Sequence, residues 1–210
     1  MCETQWGLVT AKEINRSELQ NSSSTHALLD KPSAWVARFA PLIPAGEVLD
    51  LACGSGRHAR LLAHLGHPVL AVDRDPIALQ NTAGMSITTM HADLEGEDAA
   101  WPFAAGRFAG IVVTNYLYRP LFPQIFHGLA QGGVLIYETF ARGNERFGKP
   151  SNPLFLLRQG ELLELATRES GLALQVIAFE DGYTDIPRPA MVQRICIIRT
   201  NAPPHPSACV

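Results

Sequence analysis

Residues 48–75, VLDLACGSGRHARLLAHLGHPVLAVDRD, gather two carboxylates and a glycine turn in one short stretch of chain. Gly54 and Gly56 bracket Ser55. Without a Cβ, such positions can take left-handed dihedrals and bring main-chain N–H groups close to a bound polar group. Asp50 stands four positions before Gly54 and Asp73 nineteen after it. An acid about 20 residues beyond a glycine turn is spaced to accept hydrogen bonds from ribose hydroxyls. The chemistry this suits is the holding of a nucleoside.

Regular elements must place these groups. Val48, Leu49 and Leu51 form a short apolar run, and Leu61, Leu62 and Leu65 then recur at helical spacing, so a strand feeds a helix through the glycines. Val69, Leu70, Ala71 and Val72 make a second buried strand that delivers Asp73 to the carboxyl edge of a sheet, where open α/β folds bind ligands. Two ligand classes fit. Gly54-Ser55-Gly56-Arg57-His58-Ala59 satisfies the G-x-G-x-x-G/A pattern of dinucleotide sites. Asp50, however, would lie near a pyrophosphate and repel it, whereas it suits a cationic ligand such as a sulfonium.

VLDLACGSGRHARLLA followed by VLAVDRD resembles the first two motifs of the class I S-adenosylmethionine-dependent methyltransferases. His91-Ala92-Asp93-Leu94 resembles the third, in which an acid holds the adenine amino group. Trp101-Pro102-Phe103 through Val113 resembles the approach to the fourth strand, with Ala109 in place of the usual Asp. Leu129 to Ile136 resembles the approach to the fifth, with Gln131 where Pro is more frequent. The match runs from about Ala34 to Arg199, and the glycine-turn helix is similar to that of the small tellurite- and thiopurine-detoxifying methyltransferases.

The resemblance implies an α/β fold: a Rossmann-like, seven-stranded, mostly parallel sheet with an antiparallel last strand and helices on both faces. It implies S-adenosylmethionine as cofactor, S-adenosylhomocysteine as product and no metal. The residues expected to hold the cofactor are Asp50, Ala52, Gly54, Ser55, Gly56, Arg57, His58, Asp73, Arg74, Asp93, Leu94, Asn115 and Tyr116.

The acceptor side is less defined. Base-modifying amine methyltransferases carry N-P-P-Y or D-P-P-Y where this chain has Asn115-Tyr116-Leu117-Tyr118, which argues against base methylation in that style. Tyr118 and Glu138 are the expected catalytic residues. Tyr118 could offer a ring face or a hydroxyl, with a core aromatic as the alternative. Glu138 leaves the fifth strand at the carboxyl edge and is the better proton acceptor. Residues 140–153 make a long loop that reads as a lid over the acceptor, or as a structural connector. Arg119, Arg142, Asn144, Arg146 and Arg188, with Tyr118 and Glu138, are the expected acceptor contacts.

Composition permits this. The chain has 210 residues, 47% of them hydrophobic and 18% charged, and no apolar run reaches the roughly 20 residues of a membrane span. The first residues lack a secretion signal, so a cytoplasmic protein is expected. Cys2, Cys53, Cys196 and Cys209 are scattered, and none shows zinc spacing. A net charge of −3 argues against a broad nucleic-acid surface.

The expected organisation is an extension over 1–31, a methyltransferase domain over 32–199 and a disordered tail over 200–210. Within the domain, helices are expected from Pro32 to Ala40, from Arg119 to Ala130 and from Gly160 to Ser170. Strands are expected over Phe108–Asn115 and Gln131–Thr139, with a hairpin of Leu172–Glu180 and Ala190–Thr200. A monomer or homodimer acting on a small molecule is expected, the accepting oxygen, nitrogen or sulfur left open. The alternatives are RNA or protein methylation with a partner subunit, a non-catalytic S-adenosylmethionine-binding module and, third, a nicotinamide dehydrogenase.

Overall fold

The computed structural model describes residues 31–96, 99–169 and 171–201. The extension and the tail expected at the two ends fall almost entirely outside them. In chain order the elements are α1 (Ala34–Phe39), β1 (Val48–Leu51), α2 (Arg57–His64), β2 (Val69–Asp73), α3 (Pro76–Gln80), β3 (Ile87–His91), β4 (Phe108–Thr114), α4 (Phe122–Gly128), β5 (Leu129–Phe140), α5 (Glu161–Arg168), β6 (Leu174–Thr184) and β7 (Ala190–Arg199).

The seven strands form one sheet in the order β3-β2-β1-β4-β5-β7-β6. Neighbours from β3 to β5 pair in parallel, while β7 runs antiparallel to both β5 and β6. This order decides between the two sheets that the glycine turn allows. A dinucleotide fold places its sixth strand beside the fifth, in parallel. Here the β6–β7 hairpin folds back so that β7 is inserted next to β5, as the resemblance to methyltransferases implied.

Alternation along the central strands sends side chains to two cores. Val48, Val69, Ala71, Val112, Val134, Ile136 and Cys196 pack under α1, α2 and α3, with Trp35, Val36, Phe39, Ala59, Leu62 and Leu79. Leu49, Leu51, Ile111, Val113, Leu135, Tyr137, Ile195 and Ile197 pack under α4 and α5, with Phe122, Ile125, Phe126, Leu162 and Ala166. Each Val, Leu, Ile or Phe side chain among them, fully buried, contributes about 1.5–3 kcal/mol. The central strands therefore read as continuous apolar runs, as strands covered on both faces must.

Several boundaries differ from expectation for local reasons. Ser33, not Pro32, caps α1, its hydroxyl accepting the Trp35 N–H at 3.1 Å. The helix expected from Arg119 to Ala130 is a 3-10 turn at Arg119–Leu121 followed by α4, which stops at Gly128 because Leu129 already pairs with Phe108 in the sheet. The hairpin is longer than its apolar runs suggest, since β6 continues through Asp181 to Thr184.

Candidate functional site

The carboxyl ends of β1 to β5 converge on one edge of the sheet, and the turn after β1 supplies its backbone. Ala52 (φ 54°), Gly54 (φ 54°) and Gly56 (φ 78°) all take left-handed dihedrals. At Gly56 a Cβ would stand 2.4 Å from Thr82 Cγ2, so no side chain fits there. At Gly54 nothing described lies within 4 Å of where a Cβ would be, and the turn is open on that side. Gly56 caps α2 without any side-chain hydrogen bond. The glycine therefore caps the helix with backbone alone, and a helix N-terminus with its positive dipole end attracts polar ligands. Ser55 is exposed, and its carbonyl accepts from Arg60 Nη1 at 2.6 Å.

Asp73 ends β2 and ties the glycine turn to the loop after β2. Its Oδ2 accepts the Gly54 N–H at 2.7 Å and its Oδ1 the Asp75 N–H at 2.9 Å. An ionised carboxylate offers about four acceptor sites, so capacity remains for the paired hydroxyls of a ribose. Arg74 is exposed and lies 3.7 Å from Glu95. Asp93, two residues past β3, accepts the Glu95 N–H at 3.0 Å, and the Leu94 side chain beside it is buried. The loops after β2 and β3 are thus pinned by their own acids, with exposed carboxylate oxygen left over.

Asp50 and His58 are deeper than the sequence suggests, each 1% exposed. Asp50 accepts the Ala59 N–H, while its Oδ2 is buried with no partner. Burial pushes its carboxyl up to about 7 against the pull of Arg57 and Arg60. Burial, with the neighbouring charge of Arg57, also pushes His58 down to about 3, so the ring is neutral at physiological pH. Its Nε2 accepts the Ser33 N–H at 3.1 Å, which leaves the proton on Nδ1 to face Thr114 Oγ1 at 3.3 Å. His58 therefore joins α1, α2 and β4.

Asn115 follows β4 in a left-handed conformation (φ 55°), is exposed, and gives its N–H to the Glu138 carbonyl at 2.9 Å. Tyr116 is half-buried; burial and the Glu95 carboxylate push its phenol above the usual range. Tyr118 accepts the Gly96 N–H on its hydroxyl at 3.2 Å and so links the loops after β3 and β4.

Glu138 is 8% exposed. Its Oε2 takes the Ser33 hydroxyl at 2.8 Å and lies 3.0 Å from Arg194 Nε. Thr114, Glu138, Arg194 and Glu180 stand opposite one another on β4, β5, β7 and β6, and so form one polar rung across four strands at the carboxyl edge. Sequence reading singles out Glu138 but not Ser33, Thr114 or Arg194, which the structure places around it. The available signal was an arginine interrupting the apolar run from Val192 to Ile198.

The lid candidates divide. Asn144, expected to touch an acceptor, is 2% exposed; its side-chain amide donates to Pro150 O at 2.9 Å and accepts from Met191 N at 3.2 Å, fastening the loop to β7. Arg119 pairs with Glu161 through two nitrogens, at 2.7 and 3.1 Å, and donates to the carbonyls of Leu154 and Leu156. It braces the segment that leads from the 140–153 loop into α5. Arg142 and Arg146 are exposed, and Arg188 reaches the Lys149 carbonyl at 3.5 Å. Among the described residues no group of His, Cys, Asp and Glu could hold a metal ion, and no helix is long and apolar enough to cross a membrane.

Comparison with known proteins agrees with this geometry. Residues 48–133 match a methyltransferase domain model. The uncharacterized methyltransferase YodH of Bacillus subtilis is 34% identical over 91 residues, covering 40% of this chain and 37% of the relative. Protein-L-isoaspartate O-methyltransferase of Chlorobaculum tepidum is 32% identical over 126 residues, covering 58% of this chain and 55% of the relative. The chain thus matches about half or less of the length of these relatives. In fold, it superposes on an S-adenosylmethionine-dependent methyltransferase from Mesorhizobium loti with a TM-score of 0.61 at 18% identity, over 80% of this chain and 99% of that one. The fold is the one seen in the class I S-adenosylmethionine-dependent methyltransferases. The methyltransferase domain model matches this chain from the first strand of the sheet to the start of the fifth.

Proposed function

We propose that this protein transfers a methyl group from S-adenosylmethionine to a small-molecule acceptor through oxygen, nitrogen or sulfur. The observation that carries the reading is the open, left-handed turn at Gly54 beside the Asp73 carboxylate, which still has acceptor sites for a ribose. Gly54, Ser55, Gly56 and the start of α2 would bind the methionine end, Asp73 the sugar and Asp93 the adenine. The bound cofactor supplies a methyl group on positively charged sulfur.

The chain's own residues have a limited task, because displacement at an activated carbon is accelerated largely by alignment. Asn115 and Tyr116 border the acceptor side, and Tyr118 ties two of the loops around it. Arg142, Arg146 and Arg188 are available to an anionic part of an acceptor. Glu138 takes or orients an acceptor proton: Oε2 is engaged, whereas Oε1 has no partner among the described residues and is not among the buried unpaired atoms.

Calorimetry with S-adenosylmethionine, S-adenosylhomocysteine and NAD in parallel tests the cofactor; the first two bind and NAD does not. Transfer of labelled methyl into a small-metabolite extract tests the reaction. In that assay Glu138→Gln lowers transfer by about 10²–10⁴-fold, the usual worth of a positioned acid–base group; unchanged turnover removes Glu138 from the chemistry. The relative named for protein L-isoaspartate favours a second reading, methylation of a protein carboxylate. That reading predicts label in the macromolecular fraction.

A further inference from the structure

We infer that Ser33 and Arg194 are positioning residues, which clamp Oε2 of Glu138 so that Oε1 is the oxygen that meets the acceptor. The inference rests on the methyl-transfer reading above. Both groups converge on the same oxygen, the Ser33 hydroxyl by a hydrogen bond at 2.8 Å and Arg194 Nε by an ion pair at 3.0 Å, although the two residues are 161 positions apart in the chain.

Each donor is itself held from behind. The Ser33 hydroxyl accepts the Trp35 N–H at 3.1 Å, and the Ser33 N–H is given to buried His58 Nε2 at 3.1 Å. Arg194 is drawn outward by Glu180 Oε2 at 3.2 Å and by Thr184 Oγ1 at 3.5 Å. The Nε contact with Glu138 is one of charge, because that buried nitrogen has no well-aligned hydrogen bond. Five elements therefore fix a single carboxylate oxygen: α1, α2, β5, β6 and β7. A cross-strand pair that served only the sheet would need neither the serine nor a second oxygen left without a partner among the described residues.

The position of the carboxylate can be read without knowing the acceptor. Protein labelled with ¹³C at glutamate carboxyls and saturated with S-adenosylhomocysteine shows a Glu138 resonance, identified by its absence in Glu138→Gln. Arg194→Gln and Ser33→Ala should each displace that resonance, and Arg194→Lys, which keeps the charge, should return it toward the wild-type position. Labelled-methyl transfer into the metabolite extract should fall about 10–100-fold in Arg194→Gln, the scale of a small misplacement of a reacting group, with S-adenosylhomocysteine affinity unchanged.

A Glu138 resonance identical in wild type, Arg194→Gln and Ser33→Ala overturns the inference, and a loss of thermal stability alone would then mark the pair as structural. Should Arg194→Gln not fold, Glu180→Gln removes the outer partner of Arg194 without touching Glu138, and it must displace the same resonance. Wild-type methyl transfer by Glu138→Gln would sink the proton-handling role of Glu138. The resonance would still decide the clamp.

Discussion

Replacing Gly56 with alanine tests whether the glycine turn is shaped by packing as well as by backbone conformation. At φ +78° an alanine is strained, by about 1–2 kcal/mol. Its Cβ would also stand 2.4 Å from Thr82 Cγ2, 2.8 Å from Thr82 Oγ1 and 2.9 Å from Thr82 Cβ. Thr82 cannot move aside freely: it is 0% exposed, and its hydroxyl lies 3.0 Å from the Gly54 carbonyl and 3.1 Å from the Ala78 carbonyl. Overpacking of this kind costs about 1–3 kcal/mol. The two effects together amount to about 2–5 kcal/mol, a fall in Tm of roughly 4–20 °C for a chain of this size.

Gly54→Ala is the matched control. Its φ is +54°, but nothing described lies within 4 Å of the added Cβ. Only the strain applies, about 1–2 kcal/mol, while the new methyl group faces the open side of the turn. Thermal melts should therefore show Gly56→Ala as the less stable variant. Calorimetry should show that Gly54→Ala, though better folded, has lost affinity for S-adenosylhomocysteine. Thr82→Ser removes the nearest atom and should restore part of the stability of Gly56→Ala, with a coupling of about 1 kcal/mol in a double-mutant cycle. Equal melting temperatures for the two alanine variants, or no coupling with Thr82, would refute the reasoning.

Three further outcomes are expected. His58 stays neutral down to about 3, against 6.5 for a free imidazole, so below 6.5 the unfolded chain binds a proton that the folded chain refuses and stability falls with acid. Asp50, pushed up to about 7 from 3.8, has the opposite slope across that window, the folded chain holding the extra proton and losing stability as pH rises. Asp50→Asn therefore uncovers the His58 slope, about 1.4 kcal/mol per pH unit below pH 6.5; urea melts that are flat from pH 6.5 to 4.5 would count against the assignment. Ala52→Gly relieves a left-handed alanine at φ 54°. It should stabilise by about 0.5–1 kcal/mol after the extra flexibility of glycine is offset, and a lower Tm would contradict this. Arg119→Met leaves Glu161, 2% exposed, without its bidentate partner. It should destabilise by about 2–3 kcal/mol, most of it recovered by also replacing Glu161 with leucine, whereas additive losses on chemical denaturation would argue otherwise.

Much of the glycine turn and its flanking elements was legible in the sequence because their determinants are local. A strand, two glycines, a helix and a following acid lie within 28 residues, and their order in the chain dictates their order in space. The antiparallel β6–β7 ending was legible too, from two apolar runs with no helix between them. Along α2, Arg57 and His58 are adjacent in sequence, yet one is partly exposed and the other 1% exposed. Periodicity shows that a helix has a buried face but not which polar residue will be closed into it. Asn144 and Arg119 carry the same lesson: an asparagine and an arginine near a ligand-binding edge look alike in sequence whether they meet a substrate or a carbonyl. Only the carbonyls of Pro150, Leu154 and Leu156 distinguish the cases.

By itself the sequence determined the kind of sheet, the glycine turn and the acids around it, since those depend on side-chain alternation and on dihedrals that neighbouring residues impose. The tertiary structure decided what surrounds each charge. Ser33 and Arg194 meet on one oxygen of Glu138 because the register of three strands and the cap of a distant helix bring them there. No spacing along the chain encodes that meeting, since the three residues are joined by the closing of the sheet and not by any local repeat.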